Sequence, residues 1–268
     1  MRKFLLCAML CACGAAFAAE PPAKATDQAP PKLTGDPDAL ALVEKVIASM
    51  GGDEGLKKRR QLYMEQEVPV LSVTVSTRIW TKGEKQRLEQ QMGNAPGKPV
   101  VIVYDGSALF LLENGQKRDP GETLVKAFQS EKKRFDIWWD CRTKALRVKS
   151  LGLRKLKPYA AAQERELALL EFTHPDNDTT TVGIDPATSY PVYVAYTGPH
   201  PQTGKKVAWS QWLEDFAPFE SAGGLVFPRA MALYQGDQRL SSAKLKAVKT
   251  LPDVPDSLFA PGTTRPID

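Results

Sequence analysis

"LEDFAPFESAGGLVFPRAMALYQGDQRLSSAKLKAVKTL", residues 213–251, alternates apolar and polar side chains, turns at a glycine pair, alternates again, turns at Gly-Asp and alternates a third time. Alternation of this kind is typical of a strand with one buried face, and tight glycine turns join antiparallel neighbours. None of these residues suggests catalysis. The stretch therefore predicts β-hairpins whose useful surface is a strand face and not a turn.

The same period of two recurs along most of the chain. In VLSVTVSTRIW, residues 70–80, one face carries Leu71, Val73, Val75 and Ile79, and the other carries Ser72, Thr74, Ser76 and Arg78. Asp105-Gly106 and Asn114-Gly115 are strong hairpin signals. Further strands are predicted at 164–173, 179–185, 190–197, 205–219, 225–234 and 240–249. Short turns cannot make parallel crossovers, so the sequence predicts an antiparallel meander of about ten strands.

Helical periodicity is confined to the beginning and the middle of the chain. Asp36 can cap a helix that begins at Pro37 and stops at Gly51-Gly52, and DEGLKKRRQL, residues 53–62, predicts a shorter helical piece. One long interior helix is predicted over 121–140. Its apolar stripe consists of Leu124, Val125, Phe128, Phe135, Trp138 and Trp139. The basic stretch at 142–162 fits a strand and a helix equally well.

These elements define the expected fold class, which is α+β and mostly β. Two or three helices cannot cover both faces of a large sheet. We therefore expect a curved antiparallel meander with the helices covering its concave apolar face. We divide the chain into a signal peptide at 1–19, a flexible Pro/Ala-rich linker at 20–35 and one domain at 36–268.

The N-terminus has the composition of a secretory signal. Arg2 and Lys3 precede an apolar run and an Ala16-Phe17-Ala18 site, which predicts export and cleavage near Ala19. In the alternative, Leu10 to Cys13 approximates a lipobox, and Cys13 would be lipidated in the cell envelope. After soluble processing only Cys141 remains, so we expect neither a disulfide nor a cysteine metal site. No later stretch reaches the roughly 18–20 apolar residues of a membrane helix.

Positive charge is concentrated around the interior helix. Residues 131–157 contain ten Lys and Arg against three acids, a net charge of +7, and they include FDIWWDC. Aromatic side chains among cations are typical of contact with an anionic membrane surface. The candidates for this contact are Lys132, Lys133, Arg134, Trp138 and Trp139. In the alternative, the two tryptophans pack beneath the helices and the cations are merely solvated. Nucleic acid is not an expected partner of an exported protein.

Residues with catalytic potential are few. His174 and His200 each precede a proline in a predicted turn, and we interpret both as solvated turn residues. Asp136 and Asp140, four apart on the helix, suit the carboxylate pair of a hydrolase, or else they form a helix surface facing the nearby cations. Nucleotide-binding and hydrolase motifs do not occur. We therefore expect no enzyme activity, no metal and no cofactor.

Several segments resemble the periplasmic lipoprotein-sorting proteins of the LolA-like family. They are ASMGG, VYDGSALFLLENG, VGIDPATSYPVYVAYT, LEDFAPFESAGGLVFPRAMALYQGD and VPDSLFAPG, and the similarity extends from Asp36 to Gly262. The family implies a half-open antiparallel β-barrel whose helix-covered concave face shelters the acyl chains of lipoproteins or other lipids. It also implies a periplasmic, monomeric carrier, with an envelope protein as a further possible partner.

The resemblance and the strand phases together give a set of expected lipid-binding residues. The family's use of a strand arginine near the cavity makes Arg78 the candidate here. The expected lining consists of Val73, Val75, Phe110, Leu169, Tyr193, Trp209, Leu225 and Phe227 on strands, with Phe128 and Phe135 on the interior helix. Two hypotheses from other classes stay open: an envelope interaction or scaffold module with a filled cavity, and a carboxylate-dependent hydrolase.

Overall fold

The computed structural model describes residues 33–70, 73–93 and 98–263. The predicted signal peptide, Cys13 and nearly all of the predicted linker lie outside the described residues. Four α-helices lie within them. Their bounds are α1 Pro37–Ser49, α2 Gly52–Lys58, α3 Glu122–Phe135 and α4 Ile137–Thr143. Short 3₁₀ turns cover Glu220–Ala222 and Asp256–Phe259. None of the described helices is long and apolar enough to cross a membrane.

Fourteen described strands form one sheet. They are β1 Thr34–Gly35, β2 Leu62–Val70, β3 Val73–Lys82, β4 Lys85–Met92, β5 Val100–Tyr104, β6 Leu109–Glu113, β7 Gln116–Arg118, β8 Arg147–Leu156, β9 Arg165–Thr173, β10 Thr179–Ile184, β11 Pro191–Pro199, β12 Lys206–Phe219, β13 Leu225–Gln235 and β14 Gln238–Thr250. The basic stretch that fitted either element is therefore largely the strand β8.

The sheet consists of two meanders joined by one long-range pair of strands. Strands β8 to β14 are neighbours in chain order, as are β2 to β7, and β14 pairs antiparallel with β2. The sheet is mixed, because β1 pairs parallel with β8 while all other pairs are antiparallel. It is also open, because the strand order runs from β1 to β7 without closing. Strand accounts for 51% and helix for 21% of the structure, which confirms the predicted fold class.

The opening helix is built as its sequence indicates. The Asp36 side chain accepts a hydrogen bond from Ala39 N at 2.8 Å, which satisfies one of the free donors of the first turn. Gly51 follows the helix with φ +99°, a left-handed conformation that glycine adopts without strain. Val43, Val46 and Ile47 are buried against the sheet. The predicted interior helix is divided into α3 and α4 at Asp136, although backbone hydrogen bonds continue on both sides of that residue.

The two faces of the sheet carry different apolar clusters. The face that we call the helix face packs against all four helices through residues such as Val75, Ile79, Phe172 and Leu233. The opposite face, the outer face, carries Trp80 and Val103 under the C-terminal segment, and it carries Leu167 and Trp212 at the other end of the sheet. Both faces of the sheet are therefore partly buried.

Candidate functional site

A small cavity lies between the helix face and the pair α3–α4, which we call the lid. Its volume is about 80 Å³. The lid contributes Arg134, Phe135, Ile137 and Trp138, and the sheet contributes apolar side chains that include Val182, Val194, Leu213 and Phe227. The cavity is therefore apolar on its sheet side and mixed on its lid side.

The lid lies close to β11 because this strand has a glycine beneath the helix. A Cβ atom at Gly198 would lie 2.8 Å from Ser130 Oγ and 2.9 Å from the Tyr196 ring. Real Cβ atoms essentially never show contacts this short, so a larger residue at this position would require the Ser130 side chain and the Tyr196 ring to shift. Gly198 thus lets α3 lie close to β11 without such a shift.

Charged side chains lie on the buried side of the lid. Glu131, Arg134, Asp136 and Asp140 are each at most 3% exposed. Within the described residues, five of their polar atoms have no hydrogen-bond partner: Glu131 Oε1, Arg134 Nε and Nη2, Asp136 Oδ1 and Asp140 Oδ1. Buried polar atoms without partners are costly, so the closed position of the lid carries an unfavourable contribution.

Burial also shifts the acid–base behaviour of this group. It raises the pKa of Glu131 to about 8, against the opposing effects of Arg134 and of the Gln211 amide, which donates to Glu131 Oε2. Burial likewise raises the pKa of Asp136 to about 7, although Lys132 Nζ lies 2.7 Å from its carboxylate. These two acids therefore titrate close to neutral pH.

Replacing Glu131 with Gln should change how stability depends on pH. In the unfolded chain Glu131 has its ordinary pKa of about 4.3, so between that pH and 8 only the folded protein keeps its proton. Its contribution to stability is present at acidic pH and is lost as pH rises through about 8. The free energy of unfolding of Glu131→Gln, relative to that of the wild type, should therefore increase by roughly 2–4 kcal/mol from pH 5 to pH 9.

Urea denaturation at pH 5, 7 and 9 measures this gain. The contribution of Asp136 to stability also decreases as pH rises through about 7. Burial lowers the pKa of His174 to about 4, so its contribution decreases in the opposite direction, as pH falls below about 6.5. Both groups are present in both proteins, so they cancel in the comparison. The control is Glu122→Gln on the exposed side of α3, which should show no such trend. A pH-independent difference for Glu131→Gln would contradict the expected titration.

Arg59, at the end of α2, is a buried cation in the cavity wall. It is 6% exposed, its Nη2 donates to Val226 O at 2.5 Å, and its guanidinium lies 4.1 Å from the centre of the Phe227 ring. Burial lowers its pKa to about 10, so it stays charged at neutral pH. Within the described residues its Nε has no hydrogen-bond partner. The cavity wall thus contains a positive charge with spare donor capacity, and no sequence signal pointed to it.

The expected lipid-binding residues divide between the two faces. On the helix face or on α3 are Val75, Phe128, Phe135, Trp209, Leu225 and Phe227. On the outer face are Arg78, Phe110, Leu169 and Tyr193, and this corrects their expected inward orientation. Val73, at the start of β3, is 39% exposed. A shift of one residue exchanges the two faces of a strand, and a β-bulge in β11 directly before Tyr193 causes such a shift, whereas the bulge beside Leu169 lies in its neighbour β8.

The basic segment does not form an open cationic surface at its start. Lys132 lies 2.7 Å from both Glu84 and Asp136, and Lys133 forms ion pairs with Asp176 and Asp178. Arg134 is buried, with its guanidinium 4.4 Å from the centre of the Tyr196 ring. These three candidates for membrane contact are therefore engaged within the fold, and they are not merely solvated.

The two neighbouring tryptophans are also engaged within the fold. Trp138 is 7% exposed and packs edge-on against Phe172, with ring centres 5.7 Å apart. The Arg60 guanidinium lies 4.5 Å from the centre of the Trp139 ring. Both positions match the alternative in which the tryptophans pack beneath the helices.

The other residues with catalytic potential have structural partners. Asp136 and Asp140 are buried, each with a lysine four residues away, which corrects their expected surface position. His174 is also buried, and its Nε2 lies 2.9 Å from Thr180 Oγ1. Cys141 is buried, which raises the pKa of its thiol. Within the described parts of the chain, no cluster of His, Cys, Asp or Glu is arranged to hold a metal ion.

The fold and the cavity define a class of structure: an open, mostly antiparallel sheet with helices on one face and a small apolar cavity beneath them. Among solved structures, the chain is similar to the LolA superfamily protein NE2245 from Nitrosomonas europaea, with 13% identity over 83% of this chain and 97% of that one, and a TM-score of 0.48. It is also similar to MucB, with 12% identity, 85% and 64% coverage, and a TM-score of 0.28.

A structure of the MucA/MucB complex from Pseudomonas aeruginosa matches with 10% identity, over 76% of this chain and 92% of the matched chain, and a TM-score of 0.18. The first of these matches carries the family name to which the sequence resemblance points. At such identities and TM-scores these matches carry no conclusion about the function of this chain. No family model matches the chain, and no curated protein matches it significantly.

Proposed function

We propose that this protein is a non-enzymatic carrier that shelters the acyl chains of lipoproteins or other lipids between the helix face and the lid. The observation that supports this most directly is the cavity itself. Phe135, Trp138 and Phe227 give it apolar walls, and Arg59 and Arg134 are the two buried cations in its lining. Burying a methylene group is worth about 0.8 kcal/mol, so several methylenes give useful affinity without a covalent bond. Release to a stronger acceptor then needs no chemical step.

The carrier function requires the lid to move. Pockets for drug-sized ligands have volumes of roughly 300–1,000 Å³, well above the 80 Å³ found beneath the closed lid. The unpartnered polar atoms of Glu131, Arg134 and Asp136 favour this movement, because raising the lid brings water to them. In this proposal the closed form is the unloaded form.

Arg59 determines which end of a lipid enters the cavity most deeply. Its guanidinium has the backbone carbonyl of Val226 and the Phe227 ring as neighbours, and a further acceptor would satisfy its spare donor. An ester carbonyl or a carboxylate at the head of an acyl chain supplies such an acceptor. Arg59 therefore takes over the role for which the sequence suggested Arg78.

We place the carrier in the periplasm, on the basis of the signal-like N-terminus. Lipid anchoring of an envelope-attached form through Cys13 is the alternative that the sequence leaves open.

A second candidate function is an envelope interaction or scaffold module that binds a protein partner and no lipid. It is favoured by one observation, the small volume of the cavity, since the side chains of the protein itself nearly fill it. The two functions differ in whether the purified protein carries and binds lipid.

Titration with an uncharged fluorescent long-chain acyl ester tests the carrier function. We expect saturable binding to the wild type, and Phe227→Asp should weaken it at least tenfold because a buried carboxylate without a partner is costly. The matched control is Phe110→Asp on the outer face, which should bind like the wild type. Circular dichroism confirms that both variants are folded. If the wild type shows no saturable binding, and mass spectrometry finds no lipid in the protein as isolated, the scaffold function takes the place of the carrier function.

A further inference from the structure

A larger cleft lies on the outer face, on the side of the sheet away from the lid. Its volume is about 540 Å³, within the range typical of ligand pockets. Strands β2 and β3 and the end of β14 form its floor, and residues 251–255, which we call the strap, form one wall. No sequence pattern predicted this cleft, because the strap follows the last predicted strand and does not alternate.

The cleft exists because the strap is fixed at both ends and does not pair with the sheet between them. At one end Leu251 N donates to Gln61 O at 2.9 Å. At the other end the Asp256 carboxylate lies 2.9 Å from Lys82 Nζ, and Leu258 is buried. Pro252 and Pro255 have no N–H to donate to a neighbouring strand. The strap therefore crosses the outer face without forming backbone pairs with the strands beneath it.

Three neighbouring strands bring aromatic and charged side chains together on the floor. Lys249, Tyr63 and Trp80 are partners in register across β14, β2 and β3, and Glu65 and Arg78 form the next pair along. The Tyr63 and Trp80 rings have centres 5.1 Å apart. The two ring planes are inclined at 49° to each other, so they form an angled apolar floor against which the body of a ligand can lie.

The charges of the floor leave a positive surplus. Tyr63 OH donates to Glu65, and Arg78 Nε lies 3.7 Å from the same carboxylate, so Glu65 is already partnered. Lys249 Nζ lies 5.8 Å from the Tyr63 ring centre, and within the described residues it forms no ion pair. The other carboxylate in the lining, Asp253, is exposed on the strap. The floor thus offers two cations against one partnered carboxylate, while the lining as a whole, with Asp253, has two cations and two carboxylates.

We propose that this cleft binds a small anionic amphiphile, a molecule with one carboxylate on an apolar chain or ring. Its apolar body lies on Tyr63 and Trp80 beneath Val254 and Leu258, and its carboxylate lies between Lys249 and Arg78. The site is on the opposite side of the sheet from the lid cavity, and it does not depend on the proposed carrier function.

Quenching of tryptophan fluorescence by bromododecanoate tests the proposal, because bromine quenches only indoles that it contacts. Phe227→Asp serves as the parent protein, because its lid cavity should not bind the probe. We expect saturable quenching in this parent, and adding Trp80→Phe should remove most of its amplitude. Lys249→Gln combined with Arg78→Gln should weaken binding at least tenfold, and both side chains are exposed, so the variant should fold. The matched control is Lys246→Gln, an exposed β14 lysine paired with Glu67, which should bind like the parent.

Two outcomes would overturn the proposal. One is quenching of Phe227→Asp that Trp80→Phe leaves intact, which would place the probe near another tryptophan and outside the cleft. The other is equally tight binding of a brominated dodecyltrimethylammonium ion, which would show that the cations do not select the ligand. Phe227→Asp separates the two sites, since it should abolish binding in the lid cavity and leave the quenching of Trp80 unchanged.

Discussion

Arg87→Met should lower the free energy of unfolding by about 3–5 kcal/mol, the usual effect of leaving a buried charge without its partner. Arg87 is fully buried, its Nη2 lies 2.6 Å from Glu89 Oε1, and its Nη1 donates to Leu258 O at 3.3 Å. The variant leaves Glu89, which is 6% exposed, as an uncompensated carboxylate. It also removes one hydrogen bond between β4 and the C-terminal segment. Guanidinium denaturation followed by tryptophan fluorescence measures the loss.

The double variant Arg87→Met with Glu89→Leu separates these two causes. A buried ion pair replaced by apolar side chains of similar size is often neutral in stability, so most of the loss should be regained. Lys82→Met, which removes an exposed partner of Asp256, should cost less than about 1 kcal/mol and serves as the surface control. A double variant as unstable as Arg87→Met would show that the contact with Leu258, and not the unpaired charge, dominates.

A disulfide between the lid and the sheet should abolish acyl-chain binding. The short distance from a Cβ at position 198 to Ser130 Oγ makes Ser130→Cys with Gly198→Cys suitable for a cross-link, once the Tyr196 ring turns aside. Oxidation would fix α3 on β11 and keep the cavity near its closed volume. We therefore expect the affinity for the uncharged fluorescent acyl ester to fall at least tenfold on oxidation.

Reduction of the same protein provides the control, since it frees the lid without changing the sequence. Adding a thiol reductant should restore binding, and the two single variants should not respond to the redox state. Unchanged binding in the fully oxidised protein would mean that acyl chains enter without movement of the lid. The lid would then lose its role in the proposed function.

The sequence predicted the parts of the fold that depend on neighbouring residues. The turn at Asn114-Gly115 has positive φ at both positions, as the dipeptide indicates, and α1 begins at its predicted cap. The alternation in β3 also predicted that Arg78 and Val75 lie on opposite faces of the strand, as they do in the structure. Only the family resemblance suggested Arg78 as a cavity residue.

Features that depend on distant residues were not predictable. Nothing local indicates that β1 pairs with β8, or that a bulge shifts the phase of β11 before Tyr193. Phe110 lies in LFLLE, which is apolar on both faces and gives no phase. The cations of the interior helix are engaged by acids far along the chain, such as Glu84 and Asp178, and periodicity cannot reveal such partners.

The pairing of β14 with β2 imposes an order on folding. Lys244 pairs with Glu67, so the two partners are separated by 244 minus 67, or 177, positions in the chain. Synthesis proceeds from the N-terminus, and β2 is complete long before β14 exists. During that interval the meander from β2 to β7 exposes the hydrogen-bonding edge of β2, which can pair with another chain. Contacts so distant in sequence also form slowly. The seam between the two meanders is therefore the point at which the nascent protein most needs protection from aggregation.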